Sequence, residues 1–217
     1  MLYKHAFSCY TTHGLQYRGP GENGAVTLIR TFIAIAVDDR LRDTLAAVQH
    51  ELRAVGTGVA WVCPAGMHLT LKFLGDVEEA RVPEIAAALT PVAAAVAPFT
   101  ATLAGMGVFP TPQRPRVLWA GITAGAEALV ALAAGVDAAL TALGFPPEPR
   151  PFSPHLTLGR LQAPGDTAPL LARLEAYRDT IFGETPITAL TLYRSDLSPR
   201  GAAYTALARA PLGTAPC

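Results

Sequence analysis

Lysine is almost missing from this chain of 217 residues: only Lys4 and Lys72 are present, so the positive side is nearly all arginine. Basic and acidic residues number 17 each, and a chain with no formal net charge projects no field of the kind that grips long nucleic acid. A short or terminal piece of nucleic acid is not excluded, because arginine is the side chain that forks two donors onto a phosphate. Cysteine is scarce as well. Cys9, Cys63 and Cys217 lie far apart with no CxxC, which argues against a disulfide framework and against a cysteine metal site. No run reaches the roughly 18 apolar residues of a membrane span, and the first residues lack the charged-then-apolar layout of a secretory signal. A protein of the reducing cytoplasm, off the membrane, is expected. What the chain does have is apolar bulk, about half of its residues (51%), enough to bury a core as one large domain or two fused lobes.

Residues 1–29 carry scattered aromatics, many polar residues and Gly-Pro-Gly, with no sustained period, and read as an N-terminal extension; His5 and His13 within it are taken as solvated. From Arg30 onward a rhythm begins. "RTFIAIAV" (Arg30–Val37) alternates like a strand, and Asp38–Leu52 follows with apolar residues at helical spacing behind an acidic first turn. His68–Gly75 reads as a strand, and Val82–Val96 as a helix opened by Pro83 that Pro91 should kink or split. The same order then returns, with a strand at Arg116–Thr123, a helix over Ala124–Gly144 closed by glycine, a strand at His155–Leu161 and a helix over Thr167–Phe182. Phe99–Val108, Pro186–Ser195 and Ala203–Ala210 supply further strands, the last two joined by the turn sequence "DLSPRG". Arg30 to His68 is 38 residues and Val117 to His155 is also 38, so residues 30–217 are expected to form one α+β domain of two related lobes. The Pro-rich loops Phe109–Arg116 and Gly144–Pro154 are stiff connectors or cleft walls. Arg114 and Arg116 are substrate contacts or surface charges.

The repeat carries a tetrapeptide twice. His-Leu-Thr-Leu occurs at His68–Leu71 and again at His155–Leu158, 87 positions later. On a strand the side chains alternate, so His68 and Thr70 share one face while Leu69 and Leu71 bury on the other, and His155 with Thr157 do the same. Each copy presents an imidazole and a hydroxyl about 7 Å apart along the strand, and two copies facing each other would surround a small anion. A lone histidine on a half-buried strand is usually a hydrogen-bonded structural residue and its threonine neighbour a good strand former. Two copies at corresponding places of a repeat weigh against that reading. His50, alone in a helix, is assigned to the surface. Zinc would need three or four ligands, and threonine holds the second place in both copies with no carboxylate nearby, so no metal is expected.

Together, "RTFIAIAV", "MHLTLKFLG", "FPTPQRPRVLWAGI", "FSPHLTLGR" and "LYRSDLSPRGAAYTALA" resemble the 2H phosphoesterase superfamily, in its LigT-like RNA 2′,3′-cyclic phosphodiesterase branch, also called 2′-5′ RNA ligase. The resemblance runs from Arg30 to about Gly213 and leaves residues 1–29 without a counterpart. It implies a bilobal α+β fold with a pseudo-twofold, each lobe giving one central strand with its motif to a shared cleft. It implies metal-free hydrolysis of RNA 2′,3′-cyclic phosphate ends to 2′-phosphates, with reverse 2′-5′ ligation, by a monomer without cofactor acting on RNA ends or small cyclic-phosphate nucleotides. His68 would be the general acid and His155 the general base, with Thr70, Thr157 and Arg160 on the phosphate and Phe73 against a base or ribose. Phe73 and Arg160 are carried over from the extended motifs His-x-Thr-x-x-Phe and His-x-Thr-x-x-Arg, although strict alternation aims both away from the histidine face, so a twist or bulge before them is required, or a place beyond the strand's end. The rival readings are another 2H branch with a different cyclic-phosphate substrate, and a non-catalytic module that binds nucleotides or RNA ends.

Overall fold

The computed structural model describes residues 26–55, 58–162, 166–198 and 201–213. Most of the expected N-terminal extension, the middle of the "DLSPRG" turn, Cys9 and Cys217 lie outside the described residues. Strand β1 (Leu28–Ala36) is followed by α1 (Asp39–Val55), the short β2 (Val59–Trp61), β3 (His68–Glu78), α2 (Val82–Ala94) and β4 (Phe99–Phe109). Then come β5 (Val117–Ile122), α3 (Ala126–Ala142), β6 (His155–Leu161), α4 (Ala168–Glu175), β7 (Ile181–Ile187), β8 (Ala189–Ser198) and β9 (Gly201–Pro211). The class is α+β, as expected.

All paired strands are antiparallel and form two sheets, β3-β1-β8-β9 and β2-β6-β5-β4-β7. Leaving β2 aside, the two orders correspond strand for strand: β3 with β6, β1 with β5, β8 with β4 and β9 with β7. The first motif strand, β3, is therefore an edge strand, which corrects that expectation for the first lobe, whereas β6 lies inside its sheet between β2 and β5. β1 takes an inner place because Phe32–Ile35 are buried without alternation, the pattern of a strand covered on both faces.

The helices cross over. α1 follows β1 of the first sheet but lies against β7 and α4 of the second, burying Leu41, Leu45, Val48 and Leu52 at helical spacing. α3 follows β5 of the second sheet but packs on α2 and on β3 of the first. α2 covers β8 and β9, and one continuous core joins both lobes.

Several boundaries differ from expectation. Pro91 does not split α2, which runs on to Ala94; its missing N–H removes one intrahelical bond, to the Ala87 carbonyl, near the end of the helix. α3 ends as the glycine predicts: Gly144 is left-handed (φ 87°) and its N–H donates to the Thr141 carbonyl while Phe145 N–H reaches Leu140. The helix expected to run to Phe182 stops at Glu175, because residues 181–187 pair with β4 as a strand. The strand expected at Pro186–Ser195 is divided at Thr188, the residue at which the chain passes from one sheet to the other.

Candidate active site

Both motif strands break their alternation at the same place. On β3, Thr70 lies opposite Ala34 and Lys72 opposite Ile33, so Leu71 has no partner across the ladder. On β6, Thr157 lies opposite Trp119 and Gly159 opposite Leu118, so Leu158 is likewise an extra residue. A bulge of this kind turns the following residues onto the other face. Lys72 and Gly159 accordingly point inward, and Phe73 and Arg160 are exposed on the side that His68, Thr70, His155 and Thr157 also reach. This resolves the conflict between strict alternation and the extended motifs. Each strand presents three groups on one face: His68, Thr70 and Phe73 on β3, and His155, Thr157 and Arg160 on β6. The inward residues differ for a packing reason, since a Cβ at Gly159 would lie 2.7 Å from Val59 Cγ1 of β2, whereas among the described residues no strand pairs with the corresponding side of β3.

The two imidazoles are held alike. His68 Nδ1 lies 2.7 Å from the carbonyl oxygen of Gly66 and His155 Nδ1 2.7 Å from that of Ser153. A carbonyl only accepts, so Nδ1 carries the hydrogen in both rings and Nε2 is the nitrogen left for chemistry. Each ring rests on aromatics from neighbouring strands. His68 stacks on the buried Phe32 at 4.8 Å between centroids and meets Tyr204 edge-on at 5.1 Å, and Phe32 in turn stacks on Tyr193. His155 meets Phe109 edge-on at 5.0 Å, and Phe109 packs on Trp119.

This setting disfavours the charged form. Burial first, and the Arg160 guanidinium second, push the His68 imidazole down to about 4, against the gain from its Gly66 bond. The same two causes lower His155, and burial raises the Tyr204 phenol against the opposing pull of Arg160 and Arg30. Arg160 thus acts on an imidazole of each lobe, in keeping with β3 packing against β6.

Two polar side chains brace these strands from beneath. Lys72 is buried (2% exposed) and donates to Asp137 Oδ1 at 2.5 Å and to the Pro146 carbonyl at 2.7 Å. Asp137 also accepts the Glu148 N–H, so the first motif strand is tied to the Pro-rich loop that leads into the second. On the other side the buried Gln49 of α1 reaches β6. Arg114 and Arg116 are exposed in their loop and His50 is exposed on α1. Among the described residues no group of three His, Cys, Asp or Glu side chains gathers that could hold a metal ion, and no helix is long and apolar enough to cross a membrane. The sequence reading missed Phe32, Phe109, Tyr193, Tyr204 and Gln49. Only Gln49 left a signal, a polar residue beside Val48 on the apolar stripe of α1.

The model of the LigT like Phosphoesterase family matches residues 35–119 and again 122–204, once for each half of the repeat. The chain is 33% identical over 177 residues to the RNA 2′,3′-cyclic phosphodiesterase of Methanothermobacter thermautotrophicus, covering 82% of this chain and 95% of that protein. It is 36% identical over 176 residues to the enzyme of that name from Archaeoglobus fulgidus, covering 81% and 96%. Among solved structures it resembles a Thermus thermophilus protein at TM-score 0.72 and 34% identity, covering 86% of this chain and 99% of that one. It also resembles E. coli LigT complexed with 3′-AMP, at TM-score 0.66 and 28% identity with the same coverage.

Proposed function

The chain belongs to the LigT-like phosphoesterase family, and from that premise we propose that it hydrolyses the 2′,3′-cyclic phosphate at RNA ends to a 2′-phosphate by two-histidine acid-base catalysis. The observation that carries this reading is the matched pair of bulged strands, each offering an imidazole whose free nitrogen is Nε2, with Arg160 acting on both.

In this reaction water attacks phosphorus in line as the P–O3′ bond breaks. His155 Nε2 takes the proton of the water, and His68 Nε2–H gives a proton to O3′, which leaves as the 3′-hydroxyl. The Thr70 and Thr157 hydroxyls and the Arg160 guanidinium hold the non-bridging oxygens as charge builds. Phe73 supplies an apolar face for a base or ribose. His68 is neutral in the free protein, so the acid must be charged on binding. A phosphodiester anion favours this twice, by its own charge and by pairing with Arg160, whose field otherwise opposes protonation. A 5′-hydroxyl in the place of water would give 2′-5′ ligation with the same pair of groups. Imidazoles, hydroxyls and a guanidinium from one chain suffice, so neither a metal nor a second subunit is required.

Incubation with an oligonucleotide ending in a 2′,3′-cyclic phosphate, in the presence of EDTA, should yield a 2′-phosphate end. His68→Ala and His155→Ala should each abolish turnover while the fold persists. Full activity in either variant removes the acid-base assignment, a 3′-phosphate product means that O2′ leaves instead, and binding without turnover supports a non-catalytic module.

A further inference from the structure

The bulge on β6 is not a property of that strand alone. Leu158, its extra residue, turns its carbonyl away from β5 and toward the place where β2 ends, and there it accepts two donors: the backbone N–H of Val62 at 2.9 Å and the side-chain amide of Gln49 at 2.8 Å. The same Gln49 nitrogen donates to the Val62 carbonyl at 2.9 Å. Gln49 is 1% exposed, so its amide is committed to these two carbonyls, and it stands on α1, the helix that crosses from the first half of the chain to the second sheet. Primary amides offer two hydrogens, and here one nitrogen spans the gap at which the β2–β6 ladder stops. Two residues beyond the clamped carbonyl is Arg160.

We propose that Gln49 is a positioning residue for the reaction: by clamping the Leu158 carbonyl it fixes the bulge that brings Arg160 onto the face of His155 and Thr157. The inference rests on Arg160 acting on the substrate phosphate, as proposed above. Without the clamp the extra residue can relax toward regular alternation, which carries the guanidinium away from the phosphate while leaving His155 held by Ser153. A supporting side chain of this kind decides whether a group beside the reacting atoms sits where it is needed.

The test is a double-mutant cycle between Gln49→Met, which keeps the volume and removes the donor, and Arg160→Ala, read as kcat/KM on a cyclic-phosphate oligonucleotide. Gln49→Met should lower kcat/KM on the order of 10–10²-fold and should lower it no further when Arg160 is already alanine. It should also raise the titration midpoint of His155, followed by NMR, because the guanidinium has moved off. A merely structural glutamine would lower activity by the same factor in both backgrounds and leave the His155 midpoint in place; either result overturns the proposal, as does unchanged kcat/KM in Gln49→Met. Should Gln49→Met fail to fold, Gln49→Asn, whose amide stops one methylene short of the two carbonyls, serves the same cycle. Wild-type kcat/KM in Arg160→Ala would bring down the role of Arg160 and this inference together. An impaired Arg160→Ala beside an unaffected Gln49→Met would remove this inference alone.

Discussion

The depressed imidazole of His68 gives a titration that can be measured directly. Its midpoint, about 4 in place of the ordinary 6.5, means that at pH 7 about one free molecule in 1,000 carries the proton, against about one in four for an unperturbed histidine. The difference of about 2.5 units corresponds to about 3 kcal/mol between the two protonation states. The sign for stability follows: below pH 6.5 the unfolded chain takes up a proton that the folded chain refuses until about pH 4, so this contribution is intact above 6.5 and is lost progressively across that window. NMR titration of histidine-labelled protein should place the His68 midpoint well below 6.5, with His155 also below it. Arg160→Gln should raise both, though only in part, because burial is the larger cause. Since the reactive free enzyme needs one imidazole charged and one neutral, kcat/KM should peak below pH 6.5 and fall about tenfold per unit above the higher midpoint. A His68 midpoint at or above 6.5, a kcat/KM maximum on the alkaline side of 7, or midpoints indifferent to Arg160 would each refute the electrostatic account of this cleft.

Two further outcomes are expected. Asp137→Ala should cost about 3 kcal/mol or more in urea denaturation, because it strands the buried Lys72 ammonium, whereas Lys72→Met should stay within about 1 kcal/mol of wild type; equal losses would mean that the pair matters for its packing and not its charge. Phe73 is half exposed (51%), so Phe73→Ala should raise KM for a cyclic-phosphate oligonucleotide while leaving the melting temperature close to wild type. A large melting loss with unchanged KM would make Phe73 part of the core.

The strands that carry the histidines were legible because their signal is local: alternation over four residues, written twice in a repeat. The places where Phe73 and Arg160 point were not, since Leu71 and Leu158 become extra residues only through the register of β1 and β5, and nothing in His-Leu-Thr-Leu records what lies across the ladder. The premature end of α4 has the same origin. Thr167–Phe182 keeps helical spacing, but β4 offers a free edge that Ile181–Ile187 fills, and sheet pairing overrides local preference. Lys72 looked like one of two lysines in an arginine-rich chain, and its burial depends on Asp137, 65 residues away. The aromatics under His68 come from β1, β8 and β9, which meet only in the folded sheet.

The crossing of α1 and α3 bears on how substrate gets in. Domains that close like jaws rotate about a few flexible residues, but here each lobe is covered by a helix from the other half of the chain, α1 on β7 and α3 on β3, and one apolar core runs through both. A hinge through that core would expose apolar surface, so the two motif strands are expected to keep their spacing when a ligand enters. The same interlock has a consequence for dissection. Severing the chain near Arg116 yields two pieces, each owning strands of both sheets and one helix that belongs on the other's surface, so neither piece should be stable by itself and the two should restore the enzyme only when mixed.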